Sequence, residues 1–433
     1  PGPGSLSPPR PDGTGPPVPP TGRLRWADVS LFEPIRGLCP PAASAAEVAE
    51  LPYDVMTRAE ALAMAAGRPH SFLHVSRPDI DLPADSPADS AEAYELAAVA
   101  FARLQDEGML VRDQGPRFHV YRMASGGHVQ TGIVGGASVA AYDAGRIRRH
   151  ETTRPAKQAD RAAQIEAVGA QTGPVLLIHH HSDTIAAIVA AATSGLPPTV
   201  VEGPGGIRHE LWPISDGATV AALVEAFDDL PALYIADGHH RSAAAAVVHA
   251  HTPTPAAALF LAVAFPADEV RILPYNRLVR APEGVSGDDV LTGASEHFDV
   301  ERSDGPVTPA APGRFGLYLD GRWYLLTAHA DLRGTEDPVD QLDVAVLQRH
   351  LLEPVLDIDD PRTNPRIGFV GGVRPLSDLE LAVDDGTWTA GLSLHPTTVA
   401  DLIGVADAGG IMPPKSTWFE PKLLDGLVSH VLD

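Results

Sequence analysis

Leu233-Tyr234-Ile235-Ala236-Asp237-Gly238-His239-His240-Arg241 followed by the alanine-rich run Ser242 to Ala250 constrains this chain more than any other segment. An apolar β-prone stretch ends in Asp-Gly and enters a strong helix former. Gly238, His239, His240 and Arg241 are therefore predicted at or just before a helix N-terminus. Free backbone N–H groups and the positive end of the helix dipole attract a phosphate or carboxylate there, and the Arg241 guanidinium adds a planar fork of donors. An ordinary strand-to-helix connection with locally capping histidines has the same spacing, so the box by itself leaves both readings open.

The 433 residues carry a formal net charge of −24. A polyanion needs basic surface that releases its counterions, so nucleic acid is not an expected partner. Against that acidic background Arg146, Arg148, Arg149, Arg154, Lys157 and Arg161 crowd into sixteen residues, a patch sized for a small phosphorylated molecule. The single cysteine, Cys39, excludes an intrachain disulfide and any cluster built on several thiolates. A reducing, cytoplasmic setting is expected. No membrane span or secretory leader is read. Residues 1–23, rich in Pro, Gly and Ser, read as a disordered tail, with the fold starting near Leu24.

Along the rest of the chain, short strand-like segments are expected at Val48 to Val55 and Ser71 to Val75, and an amphipathic helix at Ala91 to Glu107. Arg117 to Met123 and Val129 to Val134 read as a β-hairpin, with Ser138 to Tyr142 extending its sheet. A helix follows from Lys157 to Gly169, then a strand at Val175 to His179 and helices at Asp183 to Ser194 and Val220 to Phe227. Beyond the box come a buried strand at Leu259 to Phe265, a segment Ile272 to Leu278, a helix Ser286 to Phe298 and a hairpin around Asp320-Gly321. Helices at Asp343 to Leu351 and Val399 to Ala408 complete the expectation. Mixed helices and hairpins in this order give an α+β class rather than a doubly wound sheet. Residues 24–433 are expected to form one large unit, its number of lobes left open, with a phosphate-binding core around residues 130–280. No internal repeat is visible.

Asp237-Gly238-His239-His240-Arg241 resembles the box of free-serine kinases with the ParB/sulfiredoxin fold, where it lies against nucleotide phosphate. The wider chain is identified as a member of the uncharacterised family numbered 1015 among domains of unknown function. That resemblance is carried by Leu51-Pro52-Tyr53-Asp54-Val55, Ser71-Phe72-Leu73-His74-Val75, His150-Glu151-Thr152-Thr153-Arg154 with Lys157, Asp160 and Arg161, and Met412-Pro413-Pro414-Lys415-Ser416-Thr417, from about Leu31 to Leu427. It implies a ParB/sulfiredoxin-like core and a small-molecule kinase. The kinase would use ATP or ADP, with Mg2+, to phosphorylate the hydroxyl of a small amino acid such as serine.

The residues expected to carry this chemistry fall in four clusters. Asp237, Gly238, His239, His240 and Arg241 would cradle donor phosphates, with Asp237 and His240 counted among the catalytic groups. Arg154, Lys157 and Arg161 have helical spacing that puts them on one face, read as a second phosphate arm against the alternative of a solvated charge run. The resemblance implies a glutamate base on the substrate hydroxyl. Glu151 fits by type and neighbourhood, and a helix-capping carboxylate is its other reading. Lys415 lies on a Pro-Pro-constrained loop that either closes the site or merely packs through Trp418 and Phe419. Asp54 and His74 would face a common cleft for substrate, or else make structural hydrogen bonds. His179-His180-His181 and His239-His240 match no zinc spacing, so no resident metal is assigned. A nucleotide-binding regulator without turnover, and a phosphatase or hydrolase of a phosphorylated small acid, are the alternative functions.

Overall fold

Alternating apolar residues at Phe118–Ser125 and His128–Ser138 build the hairpin at the centre of a nine-stranded sheet. The computed structural model describes residues 29–195 and 198–433; the expected tail and the expected start at Leu24 lie outside the described residues. The sheet runs in the order Ile147–Arg148, Leu233–Asp237, Val175–His179, Leu259–Pro266, His128–Ser138, Phe118–Ser125, Ile207–Ile214, Thr199–Gly203, and Phe32–Glu33 also pairs with His128–Ser138. Two of its pairings are parallel, those of Leu233–Asp237 with Ile147–Arg148 and of Leu259–Pro266 with Val175–His179. The remaining pairings are antiparallel, which together with the helices gives a mixed α+β architecture.

A second, six-stranded antiparallel sheet follows the order Phe298–Ser303, Arg322–Ala328, Arg314–Leu319, Ala390–Leu394, Tyr275–Val279, Ile367–Gly371. One buried cluster runs from Leu176, Leu261 and Phe265 on the first sheet to Phe315, Leu326 and Leu392 on the second. The other face of the first sheet is closed by Gly217–Asp228, whose Phe227 meets Phe32 at 4.6 Å and Phe118 at 6.5 Å between ring centres. Among the described residues no helix is long and apolar enough to cross a membrane.

Three local expectations are corrected. Ser71 to Val75 is not strand-like: Ser71 Oγ accepts the Leu73 N–H, and the short helix Leu73–Ser76 begins after Phe72. Val48 closes the helix Ala45–Val48, and the chain then makes a single antiparallel bridge, Glu50 with Asp425, before turning through Pro52 and Asp54. Ser138 ends the hairpin strand instead of extending it, because its Oγ accepts the Ala141 N–H and caps the helix Val139–Asp143. Strands Phe298–Ser303 and Ile367–Gly371 and the helix Ser377–Asp384 were not anticipated.

The Phe32, Phe118 and Phe227 cluster joins an edge segment, the central hairpin and a covering helix. Phe227→Ala is expected to lower the unfolding free energy by about 3–5 kcal/mol in urea titration, the cost of a cavity at a fully buried aromatic.

Candidate functional site

The strand Leu233–Asp237 turns into the helix His239–His251 through Gly238, whose φ of 101° belongs to the left-handed region. A Cβ there would stand 3.2 Å from the Arg241 guanidinium carbon and 3.3 Å from Val175 Cα, so the bend requires glycine twice over. His239, His240 and Arg241 form the first turn, where amide hydrogens have no acceptor within the helix and its dipole is positive.

Arg241 is folded back beneath this turn. Its guanidinium donates to the Pro174 carbonyl and, at 3.4 Å, to Asp237 Oδ1. Lys422 Nζ donates to Asp237 Oδ2 at 3.1 Å. Burial by itself would raise the Asp237 carboxyl, but Lys422 and Arg241 outweigh it and hold the group below the usual carboxylate range. Asp237 is thus a fixed anion between two cations.

His239, 3% exposed, accepts the His150 N–H on Nε2 at 3.4 Å. Its proton therefore sits on Nδ1 in the neutral ring, which lies 3.5 Å from Glu151 Oε2. Burial and the neighbouring His150, packed edge-on at 4.5 Å, push His239 well below the ordinary imidazole range. Burial also raises Glu151, with Asp237 adding to the rise while Lys415 and Arg154 oppose it. His240 accepts the Arg154 N–H on Nε2 at 3.1 Å; burial lowers its titration, as do the charges of Arg154 and Lys157.

A polar cleft of about 120 Å³ is lined by Asp54, Glu151, Asp237, Lys415, Trp418 and Lys422, among others. Its far wall is the 412–422 loop. The Met412 N–H donates to the His150 carbonyl at 2.8 Å. The Lys415 carbonyl accepts from Arg277 at 3.0 Å, and Trp418 packs edge-on against Tyr275 at 5.4 Å. Lys415 itself adopts φ 59° and carries its ammonium 5.5 Å from the Tyr275 ring centre. Anchoring through Trp418 and presentation of Lys415 are thus both features of one loop.

Other residues singled out in the sequence lie elsewhere. His74 pairs with Asp81 at 2.7 Å and does not line the cleft. Arg154 is the cap residue preceding the helix Pro155–Val168, and it and Lys157 are exposed, whereas Arg161 turns inward, stacks over Tyr53 at 4.3 Å and pairs with Asp160 at 3.0 Å. Arg161 and Arg241 border a second cavity with Ser76, Gln164 and Asp425. Lys422, five residues beyond the Met412 to Thr417 phrase, was given no role, since only its pairing across the fold distinguishes it from a surface lysine. Asp425 carried no sequence signal. It is 1% exposed, its Oδ1 has no hydrogen-bond partner, and burial, only partly offset by Arg241 and Arg161, pushes its carboxyl up to about 7.

The model of the family described as "Protein of unknown function (DUF1015)" matches residues 32–345. The chain belongs to that family. The matched span of DUF1015 stops short of the loop that supplies Lys415 and Lys422. No curated protein matches the chain. Among solved structures it is similar to a mutant free serine kinase in complex with ADP, at 12% identity and a TM-score of 0.33, covering 66% of this chain and 86% of that one. SbnI with a C-terminal truncation from Staphylococcus aureus is similar at 12% identity and a TM-score of 0.36, covering 67% and 85%. A conserved hypothetical protein from Pyrococcus furiosus is similar at 13% identity and a TM-score of 0.33, covering 67% and 92%.

Asp425 generates a pH prediction. An acid whose folded titration is raised binds more protons folded than unfolded, so it costs stability increasingly as pH rises from the unfolded value near 4 to the folded value of about 7. Asp425→Asn removes that loss. In thermal melts the variant is expected to gain on the wild type between about pH 5 and about pH 8, with no such gain if the carboxyl titrates normally.

Proposed function

We propose that this cleft transfers a phosphoryl group from ATP or ADP to the hydroxyl of a small amino acid such as serine, on a ParB/sulfiredoxin-like core. The observation that carries the reading is the convergence of Glu151, Asp237 at the bend before Gly238, and Lys415 around one polar cleft, although they come from three distant segments.

In this reading the donor phosphates rest on the free amides of the first turn and on Lys415. His240 accepts the Arg154 amide through Nε2, which leaves its Nδ1–H to donate to a phosphate oxygen. Asp237 does not take the proton, because Lys422 and Arg241 keep it ionised and occupied; it positions the turn instead. Glu151 has the raised basicity a general base needs, and the His239 Nδ1–H stands 3.5 Å from it. Glu151 takes the hydroxyl proton as the substrate oxygen bonds to the terminal phosphorus. The bond from that phosphorus to the bridging oxygen breaks, and ADP or AMP leaves with the electron pair.

Mg2+ entering with the nucleotide needs only one or two carboxylates. Asp54, exposed at the cleft, fits that need, whereas the oxygens of Asp237 are taken by Arg241 and Lys422. Bound there, the ion would neutralise phosphate charge. Arg154 and Lys157 extend the positive rim on the solvent side, while Arg161 and Arg241 act from beneath it.

Incubation of the protein with serine and either nucleotide, followed by phosphorus NMR, tests the reading. Phosphoserine is the expected product. Nucleotide binding without product supports a regulator, and phosphate release from added phosphoserine supports a hydrolase; either result overturns the kinase reading. Glu151→Gln is expected to lower kcat by about 10²–10⁴-fold while nucleotide affinity stays within about threefold, the separation a general base requires.

A further inference from the structure

Away from the cleft, Cys39, Asp113 and His119 aim three different donor atoms at one point. Their sulfur, carboxylate oxygen and ring nitrogen all lie within 4.8 Å of one another. His119 Nε2 is 3.6 Å from Asp113 Oδ2 and 3.9 Å from Cys39 Sγ. The first separation is too long for a hydrogen bond and the second is at most a weak sulfur contact. Tetrahedral ligands with bonds of about 2.0–2.3 Å stand roughly 3.3–3.6 Å apart, so the two His119 separations need contract by a few tenths of an ångström and the Cys39–Asp113 separation, within 4.8 Å, by up to about an ångström to seat an ion.

The surroundings fit that use. Asp113 Oδ2 is buried without a hydrogen-bond partner, while Arg117 Nε forms an ion pair with the other oxygen at 3.3 Å. The backbone is held as well: the Asp113 N–H donates to the Gly37 carbonyl at 2.8 Å, and Cys39 pairs in register with Val111. His119 stands on the strand Phe118–Ser125 at the centre of the large sheet. A Cβ on Gly37 would come within 3.2 Å of Asp113 Oδ2 and 3.4 Å of Cys39 Sγ, so glycine keeps the space between the donors clear.

We infer that Cys39, Asp113 and His119 form a binding site for a divalent transition-metal ion of the zinc class. A mixed sulfur, nitrogen and oxygen set selects such an ion over magnesium or calcium, which take oxygen ligands. Thiolate and carboxylate balance its two positive charges, the thiol proton passing to solvent on binding, and three protein ligands leave a fourth position for water. A single cysteine excludes clusters of several thiolates but not this one. The site is independent of the phosphoryl-transfer reading.

The test is a Co(II) titration of the full chain, without an affinity tag and stripped with a chelator. The expected result is one tightly held Co(II) with a near-ultraviolet thiolate-to-cobalt band and strong visible bands, both erased by Zn(II), and a melting temperature raised by Zn(II). Cys39→Ser should remove the near-ultraviolet band, and both it and His119→Gln should weaken binding by at least about tenfold. Circular dichroism of the metal-free variants checks their folding, and the wild-type spectrum is decisive even where a variant fails to fold. Absence of the thiolate band in the wild type overturns the site. So does a folded Cys39→Ser protein that binds Co(II) with unchanged spectrum and affinity, since the ion would then sit on histidines elsewhere.

Discussion

The ion pair system around Asp237 fixes the geometry on which the cleft depends. Lys422 comes from a segment 185 residues away and Arg241 from the next helical turn, and the two cations hold opposite oxygens of one carboxylate. Arg241 also reaches the Pro174 carbonyl at the start of the neighbouring strand. A charge at the carboxyl end of a sheet strand, at the bend into a helix, thus ties together the sheet, the helix and the 412–422 loop. Removing one partner of such a pair leaves the others desolvated and uncompensated, which makes the arrangement sensitive as a unit.

The same interactions divide labour among groups that look alike in the sequence. Asp237 and Glu151 are both acids at the cleft, yet one is pulled down by two cations and the other is pushed up by burial. In the proposed reaction, opposite environments for neighbouring carboxylates would separate an anchoring anion from a proton acceptor. The adjacent histidines diverge likewise. His239 is sealed between His150 and Glu151, whereas His240 takes an amide from the exposed Arg154.

Local punctuation made much of the fold legible. Asp-Gly before an alanine-rich run marked the strand and helix that meet at Gly238, and the alternation around Gly126-Gly127 marked the central hairpin. Short segments were less readable. Ser138 caps a helix through its hydroxyl and Ser71 takes the amide two residues on just before one, and apolar content nearby masked both roles. Helical spacing grouped Arg154, Lys157 and Arg161 but gave no direction to the group; contact with Tyr53 turns Arg161 inward while the other two face solvent. Lys422 and Asp425 were illegible for a different reason, since their environment is made by residues far away along the chain.

The loop at 412–422 has an implication for biosynthesis. Strand, bend and helix around Gly238 are translated well before Lys415 and Lys422, so a nascent chain holds Asp237 with Arg241 alone until the ribosome has delivered the distant lysine. On the proposed reading, ligand capture would then be deferred to the closing stage of synthesis, and a half-made polypeptide would be spared from sequestering a small anion prematurely.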